Sequence, residues 1–391
     1  MREEVRIFLS TGETSGDLYA SYLAKAIKEE IPQASFWGMG GEHMRKAGIT
    51  LLIHSAQKGA IGIVESLKVL PFFIYAFWKI KNFLSENPPH LLILIDFGAF
   101  NLRLGRWAKR RGIQTLYFIP PGSWRRRVGE NVALLKQSAD KVICIFPWNK
   151  EALEEKGIEA YFFGHPLLDI LEKEAKEKAR TRLGLEEAPT VGLLPGSRLQ
   201  EIRYVLPTLL QTVPLIKRTI PEAQFVLAPP ESSLAFLKKI LPKGWTISDK
   251  LLKSDENIVH LRPGQSWSVI NASNALIITS GTATLESAVL ETPFIVVYKG
   301  SFLTKIEYKL RRMKLPYISL PNIILERKEI PELLQEQANP SLLANLTCNL
   351  ILNEEERNRQ MELFREIKAK LGGKGMFLQT AKLIKGMVLG K

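Results

Sequence analysis

Short apolar runs alternate with helix-length amphipathic stretches along the first half of the chain. Such runs are typical of strands buried in a parallel sheet, and the stretches between them are typical of crossover helices. We therefore expect a doubly wound α/β sheet. Its predicted strands are residues 6–11, 35–38, 91–95, 114–119, 141–146 and 160–163.

The same alternation starts again after a charged segment at residues 172–182. The predicted strands of this second series are residues 191–194, 224–228, 258–261, 276–279 and 294–298. Beyond residue 340 helix formers dominate, and apolar residues are spaced as on amphipathic helices: Leu346, Leu350, Met361, Phe364 and Ile367.

These patterns predict an α/β protein with two doubly wound, Rossmann-like domains, at residues 1–170 and 188–340. Helices at residues 341–391 are expected to pack back on the N-terminal domain or on a partner subunit. When two such domains face each other, they form a cleft at the carboxyl ends of their strands, where ligands of open α/β sheets bind.

Length and charge agree with this organisation and narrow the choice of partners. A chain of 391 residues is long enough for two hydrophobic cores. The net charge of +14 favours an acidic partner. Basic clusters occur at residues 125–127 and 311–312, but no nucleic-acid-binding module accompanies them, so nucleic acid is not expected as the partner.

Cysteine and histidine usage argues against a metal site. Cys144 and Cys348 form neither a CxxC pair nor a disulfide framework, and the histidines show no HExxH spacing. The amino terminus lacks the hydrophobic region of a secretory signal. We expect a cytoplasmic protein without a bound metal ion.

Two strand-to-helix loops of the second half have the composition of phosphate-binding loops. In Leu-Leu-Pro-Gly-Ser-Arg, Gly196 allows a tight turn, Ser197 offers a hydroxyl and Arg198 can bind a phosphate with two N–H groups. An ordinary turn with a solvated arginine is the alternative. The second loop supplies small or hydroxyl-bearing residues, and a carboxylate that could accept ribose hydroxyls: Ser280, Gly281, Thr282, Thr284 and Glu286. An ordinary helix cap is the alternative there.

The first strand of the chain is followed by Thr-Gly-Glu-Thr-Ser-Gly-Asp at residues 11–17. Glu13 and Asp17 make this loop acidic, which favours contacts to sugar hydroxyls over phosphate, with helix capping by Asp17 as the alternative. The loop does not match GxGxxG, so a nicotinamide cofactor is not expected. His165, at a later strand end, is either a ligand contact or a structural histidine.

The ordered motifs along the chain resemble those of the lipid-A-disaccharide synthase family. The matching segments are residues 12–17, 38–41, 100–104, 163–167, 194–198, 280–286, 319–322 and 331–335. The resemblance implies a GT-B fold and a hexosyltransferase. Such an enzyme transfers sugar, with inversion and without metal, from UDP-2,3-diacylglucosamine to 2,3-diacylglucosamine 1-phosphate, giving a β-1,6-linked disaccharide phosphate and UDP.

The resemblance also implies where the ligands bind. UDP is expected in the C-terminal domain, with the UDP-sugar as donor substrate and no further cofactor. The matched motifs contain residues expected on the acceptor side or in the structure of the cleft: Ser15, Asp17, Asn101, His165, Asn322 and Gln335. A homodimer is one arrangement that would accommodate the terminal helices.

This chain departs from the family on the acceptor side. Ala99 stands where the family typically carries an aspartate that could deprotonate the acceptor hydroxyl. Asp96 aligns with another family aspartate and is either a structural residue, which is the simpler interpretation, or a replacement base. Glu13 is the other candidate replacement. The loop at residues 120–127 differs as well. A divergent UDP-sugar transferase, an epimerase-like enzyme and a catalytically silent sugar-nucleotide-binding protein therefore remain alternatives.

Residues 67–80 combine aromatic side chains with neighbouring lysines: Phe72, Phe73, Tyr75, Phe77 and Trp78. The apolar run is too short to span a bilayer and contains Pro71. An amphipathic core helix is one interpretation. Since the implied substrates are lipids, we favour a membrane interface, with the protein peripheral to the inner membrane on its cytoplasmic side.

Overall fold

The computed structural model describes residues 4–55, 63–122, 132–254, 256–300 and 317–390. The chain divides into two compact units. The first unit comprises Met1–Ile170 together with Leu371–Lys391, and the second unit comprises Leu171–Lys370.

The first unit is built on a parallel sheet with helices on its faces. Its strands are β1 Val5–Ser10, β2 Ala34–Gly40, β3 Thr50–His54, β4 Leu91–Ile95, β5 Thr115–Phe118, β6 Lys141–Cys144 and β7 Ala160–Phe162. The described helices are α1 Thr14–Glu30, α2 Glu42–Lys46, α3 Ile63–Glu86, α4 Gly98–Lys109, α5 Val132–Ser138, α6 Pro147–Glu154 and α7 Pro166–Ile170.

The seven strands of this sheet lie in the order β3-β2-β1-β4-β5-β6-β7. The chain winds outward in one direction from β1 and in the other from β4, so the direction reverses between these two strands. All five residues of β4 are buried, because helices cover both faces of a parallel sheet. The carboxyl ends of β1 and β4 therefore form the switch point of the first unit.

The second unit repeats this architecture. Its strands are β8 Thr190–Leu194, β9 Gln224–Leu227, β10 Thr246–Ser248, β11 Leu251–Lys253, β12 Ile258–Leu261, β13 Ala275–Thr279, β14 Phe294–Tyr298 and β15 Glu332–Leu334. The described helices are α8 Lys176–Leu183, α9 Leu199–Thr219, α10 Leu234–Ile240, α11 Ser266–Ala272, α12 Thr282–Val289, α13 Leu320–Leu325, α14 Pro340–Leu352 and α15 Glu354–Lys370.

The eight strands of the second sheet lie in the order β10-β11-β12-β9-β8-β13-β14-β15, and only the β10–β11 and β11–β12 pairs are antiparallel. The winding reverses between β8 and β13, which pair in parallel. Their carboxyl ends form the switch point of the second unit.

The helices after residue 340 are divided between the units. Helix α14 packs against α9, and α15 packs against α12, α13 and α14, all in the second unit. The last helix, α16 Met376–Leu389, packs against α1 of the first unit. Its Phe377 ring lies 5.7 Å from Tyr22 and 6.2 Å from Phe118, and Asp169 accepts hydrogen bonds from the N–H groups of Gly375 and Phe377.

The predicted strands of both halves overlap strands of the structure, and the sequence analysis missed four. β10 and β11 form a hairpin through Asp249 and Lys250, whose positive φ angles of 49° and 61° suit a tight two-residue turn. These strands are short and partly polar. β3 and β15 are also short, and β15 buries a charged residue, Glu332, which hides its strand character. No described helix has both the length and the apolar character needed to cross a bilayer.

Candidate functional site

The loops predicted to bind ligands follow the strands that border the two switch points. In the second unit the Gly196–Arg198 loop follows β8 and the Ser280–Gly281 loop follows β13. In the first unit the Gly12–Glu13 loop follows β1 and Asp96 follows β4. Since open α/β sheets bind ligands at these positions, each unit contains one candidate site.

The loop after β8 is organised around a buried carboxylate that the sequence analysis did not single out. One Glu201 oxygen accepts the Ser197 N–H at 3.1 Å and the Arg198 N–H at 3.3 Å. The other oxygen pairs with the Arg198 guanidinium at 3.0 Å. Gly196 turns the chain at φ +102°, in the left-handed region that favours glycine. Arg198, predicted to bind phosphate, thus already has one carboxylate partner.

The loop after β13 leads into helix α12 and is only partly engaged internally. The Ser280 hydroxyl donates to the Ile318 carbonyl, and the buried Thr284 hydroxyl donates to the Gly281 carbonyl. Gly281 and Thr282, at the helix N-terminus, are exposed. The positive end of the α12 dipole therefore meets solvent where small residues leave room for an anion.

Glu286 follows on the same helix and is the second titratable group of this region. The Trp267 indole N–H, from α11, donates to its carboxylate at 2.9 Å. Burial raises the pKa of Glu286 to about 7, and the Trp267 hydrogen bond opposes this shift. No charged group among the described residues contributes to the shift. The carboxylate is thus oriented and able to accept hydroxyl donors when ionised.

Asp96 occupies the switch point of the first unit in an uncommon backbone conformation. Asp96 and Phe97 both have positive φ, at 46° and 50°. Two side chains hold the turn through the Asp96 carbonyl: the Asn101 amide at 3.0 Å and the Tyr117 hydroxyl at 2.8 Å. A non-glycine residue held at positive φ is costly unless its surroundings fix it, so this turn is a built feature.

The electrostatics of Asp96 suit a proton acceptor. Burial raises the pKa of its carboxyl to about 6, with a further contribution from the negative charge of Glu13 and an opposing hydrogen bond from the Phe97 N–H. Glu13 is exposed and directly precedes α1, and Ser15 is half-buried in the first turn of that helix. A methyl group on Gly12 would lie 2.6 Å from the Phe97 ring, so the β1 and β4 loops are in close contact.

Two predicted residues of the first unit have structural roles. The buried Asp17 carboxylate accepts the N–H groups of Gly41, His43 and Met44 at 2.7–3.1 Å, so it caps α2 rather than its own helix. The buried Asn101 amide donates to the carbonyls of Ser10, Ile95 and Asp96, and its oxygen accepts the Ser10 hydroxyl. Asn101 therefore joins the ends of β1 and β4.

His165, Asn322 and Gln335 are also engaged within their own units. The His165 ring is buried and accepts the Leu167 N–H, and burial lowers its pKa to about 3. Asn322 is fully buried and bonds to Ile330 and Glu332. Gln335 has a positive φ of 52° and accepts the Gly300 N–H at 3.5 Å, and among the described residues its buried amide nitrogen has no hydrogen-bond partner.

Glu201 and Trp267 are the functional candidates that the sequence analysis missed. Glu201 had a local signal, because an acidic residue three positions after a helix N-cap is typical of a capping box. Trp267 had none, since its contact with Glu286 depends on the packing of α11 against α12.

The two basic clusters noted in the sequence lie outside the described residues. Arg125–Arg127 and the pair Arg311 and Arg312 belong to segments that are not described. Across the described residues, no three His, Cys, Asp or Glu side chains come together in a way that could hold a metal ion.

Helix α3 presents an apolar face to solvent. Leu70, Ile74, Tyr75 and Trp78 are 49–58% exposed and recur about once per helical turn. On the other side of the helix Phe72, Phe73 and Phe77 pack against the core of the first unit. The Lys81 ammonium lies 4.3 Å from the Trp78 ring centroid. The exposed set, Leu70, Ile74, Tyr75 and Trp78, is referred to below as the α3 face.

Comparison with known proteins identifies relatives along nearly the whole chain. The family model described as lipid-A-disaccharide synthetase matches residues 7–381. A protein of Trichlorobacter lovleyi named lipid-A-disaccharide synthase is 36% identical over 389 residues, covering 98% of this chain and 97% of that protein.

Solved structures resemble the fold at much lower sequence identity. The S. aureus MnaA–UDP co-structure superposes with a TM-score of 0.65 at 12% identity and covers 98% of this chain and 97% of that one. The glycotransferase of kitacinnamycin superposes with a TM-score of 0.64 at 12% identity and covers 99% of this chain and 100% of that one. These similarities confirm the predicted fold class, with two Rossmann-like units of the GT-B type and C-terminal helices.

Proposed function

The chain belongs to the lipid-A-disaccharide synthase family, and on this premise we propose that it joins two acylated glucosamine units into a disaccharide phosphate. The donor is UDP-2,3-diacylglucosamine and the acceptor is 2,3-diacylglucosamine 1-phosphate. The acceptor 6-hydroxyl oxygen attacks the donor anomeric carbon, the bond from that carbon to UDP breaks, and the configuration at the carbon inverts.

The proposed chemical step rests on the properties of Asp96. Its carboxylate is partly buried, lies at the switch point of the first unit and has a pKa of about 6. A general base works best when its pKa lies near the working pH, because it is then ionised yet still basic. Asp96 accepts the proton of the attacking hydroxyl. Glu13 supports this role by raising the Asp96 pKa through its negative charge.

Asp96 also accounts for the departure from the family pattern at Ala99. Ala99 is exposed in the first turn of α4 and has no titratable group. The Asp96 turn, three residues earlier, is fixed by Asn101 and Tyr117 through its carbonyl, which leaves the carboxylate for chemistry. In the proposed mechanism Asp96 therefore supplies the base that Ala99 cannot.

The second unit holds the leaving group. The exposed N-terminus of α12, at Gly281 and Thr282, and the Arg198 guanidinium favour the negative charge that develops on the diphosphate. Glu286 accepts the ribose hydroxyls. The description of one solved structure of similar fold includes UDP, which supports a uridine nucleotide as part of the donor. No metal ion and no additional cofactor is needed, since helix dipole and guanidinium supply the positive charge.

Membrane association delivers the two lipid substrates. The α3 face places aliphatic and aromatic side chains in solvent beside lysines, which is the composition of an interfacial membrane contact. With the chain's net charge of +14, this surface favours anionic lipid headgroups. We therefore propose a cytoplasmic protein that is peripheral to the inner membrane.

Product analysis tests the proposal. Purified protein in mild detergent is incubated with both lipid substrates and a metal chelator, and mass spectrometry follows the disaccharide phosphate and UDP. We expect both products in equal amounts. Release of UDP without disaccharide would indicate a different acceptor, and epimerised sugar nucleotide would indicate an epimerase-like enzyme. UDP binding without turnover would indicate a silent homologue. Each of these results contradicts the proposal.

A further inference from the structure

The carboxylate of Glu201 divides its two oxygens between the backbone and the side chain of the donor loop. One oxygen accepts the N–H groups of Ser197 and Arg198, at 3.1 and 3.3 Å. The other oxygen accepts from Nη1 of Arg198 at 3.0 Å. The Glu201 side chain is 11% exposed, whereas that of Arg198 is 47% exposed.

The conformation of the loop leaves room for this carboxylate and for little else. A methyl group on Gly196 would lie 2.5 Å from a Glu201 carboxylate oxygen. Glycine is therefore required both for its φ of +102° and for the space that Glu201 fills. The first turn of α9 and the preceding loop thus pack together around the Glu201 carboxylate.

This arrangement changes how the loop can bind a diphosphate. The amides of Ser197 and Arg198 already donate to Glu201, so they do not offer the open backbone cradle of a phosphate-binding loop. A guanidinium has five N–H donors in a rigid fork, and Glu201 engages the fork at Nη1. Among the described residues, no other side chain pairs with Arg198.

Building on the proposed function, we propose that Glu201 is a positioning residue that orients the Arg198 guanidinium toward the donor diphosphate. Glu201 fixes one edge of the fork, and the fork's remaining donors bind the phosphate oxygens. The loop after β8 therefore recognises the diphosphate through the Arg198 side chain, which Glu201 holds in place. The backbone amides of the loop hold Glu201 in turn. Fixing the guanidinium before binding lowers the ordering cost of the contact.

The substitution Glu201→Gln separates the two halves of this arrangement. The glutamine oxygen can still accept the Ser197 and Arg198 amides, while its NH₂ group faces the guanidinium and cannot accept from it. Glu201→Gln thus keeps the loop and removes the pair. Glu42→Gln is the matched control, because Glu42 also pairs with an arginine three residues away, Arg45, in the reverse order and on an exposed part of the first unit.

Calorimetric titrations with UDP and with uridine test the proposal, together with Arg198→Ala and the double variant. We expect Glu201→Gln to weaken UDP binding about fivefold and Arg198→Ala at least about tenfold. Uridine affinity should stay unchanged in both. Because Glu201 acts through Arg198, the double variant should bind UDP no more weakly than Arg198→Ala alone. Glu42→Gln should leave UDP affinity unchanged.

Several results would overturn this assignment. They are unchanged UDP affinity in Glu201→Gln, additive losses of UDP affinity in the double variant, and a loss of uridine affinity equal to the loss of UDP affinity. Any of these results would indicate that Glu201 is only a helix cap. All of these presuppose wild-type protein that binds UDP. Wild-type protein that fails to bind UDP at all would instead contradict the proposed function, and this inference with it.

Discussion

Asp96 and Glu286 have raised carboxyl pKa values chiefly because the fold removes them from water. Desolvation disfavours the charged form, and a nearby carboxylate adds to the effect at Asp96. Both residues lie beside switch-point strands, one in each unit. Carboxylates with perturbed pKa values cluster at functional sites. The proposed tasks differ, since Asp96 accepts a proton and Glu286 accepts hydrogen bonds from the ribose.

The pH dependence of transfer follows from Asp96 as the base. Only the ionised carboxylate accepts a proton, so kcat/KM should rise as the pH increases through about 6 and then level off. Steady-state rates between about pH 4.5 and about pH 8 measure this limb. In Glu13→Gln the loss of a neighbouring negative charge lowers the Asp96 pKa, so the limb should move to lower pH. A limb that stays in place would show that Glu13 does not act on the base.

Glu286→Gln should stabilise the protein at high pH. The folded pKa of about 7 lies above the ordinary value of 4.5, so the folded state holds its proton more tightly. Stability is thus lost as the pH rises from about 4.5 to about 7, and the full cost applies above that range. Allowing for solvent screening, glutamine should raise the free energy of unfolding by about 2 kcal/mol at about pH 8 and leave it nearly unchanged at about pH 4.

Denaturant unfolding of both proteins at the two pH values measures this difference. UDP affinity of Glu286→Gln should fall, because the neutral amide is a weaker acceptor for ribose hydroxyls than the carboxylate. A variant that is less stable at high pH, or that binds UDP as tightly as wild type, would argue against an ionised, ligand-binding Glu286.

For single residues, the sequence indicated which side chains could bind a ligand more readily than it indicated their hydrogen-bond partners. Arg198 and Glu286 could be proposed from their positions after small, hydroxyl-rich segments. Glu201 had a local capping-box signal, but its burial and its pairing with the Arg198 guanidinium are properties of the folded loop that the sequence does not show. The motif resemblance included Asn101, but its bonds to three carbonyls depend on the β1–β4 pairing.

The loops before α9 and α12 each contain a glycine, but only the glycine before α9 is in a conformation that excludes other residues. Gly196 has φ +102° and no room for a methyl group, whereas Gly281 is extended and a methyl group there would meet nothing within 4 Å. Gly196→Ala should therefore destabilise the protein by about 2 kcal/mol, and Gly281→Ala by less than about 0.5 kcal/mol. Equilibrium denaturation compares the two variants, and equal effects would show that the Gly196 turn is not strained.

The exposed apolar side chains of the α3 face predict a contact with membranes. Replacing Ile74, Tyr75 and Trp78 together with serine removes three of the four apolar side chains of the α3 face. Association with vesicles containing anionic lipid should then fall about tenfold or more in a sedimentation assay. Leu352→Ser is the control, because Leu352 is 63% exposed at the end of α14 in the second unit. Unchanged sedimentation of the triple variant would exclude this face as the membrane contact.

The strands that are buried throughout were all predicted, whereas the missed strands are short and either partly exposed or interrupted by a buried charge. Runs such as β4 and β13 are fully buried, so their sequences are apolar throughout. The β10–β11 hairpin is half exposed and lacks this signal. Glu332 in β15 is buried because it accepts bonds from Ile318, Ser319 and Asn322, contacts that a sequence does not show.

On the scale of the molecule, two doubly wound units could be predicted because the strand–helix alternation occurs twice, on either side of a charged segment. The division of the terminal helices could not. Helices α14 and α15 belong to the second unit and α16 to the first, and their amphipathic patterns do not specify which surface they cover. Asp169, which accepts the Gly375 and Phe377 amides, fixes the last helix.

In the proposed mechanism the second unit binds the donor and Asp96 of the first unit supplies the base. Asp96→Asn separates these tasks in one preparation, by UDP titration and by quantifying the disaccharide phosphate with mass spectrometry. We predict unchanged UDP affinity and a transfer rate lower by about 10²-fold or more. Transfer at the wild-type rate in Asp96→Asn, with UDP still bound, would contradict a catalytic role for Asp96 and place the base elsewhere.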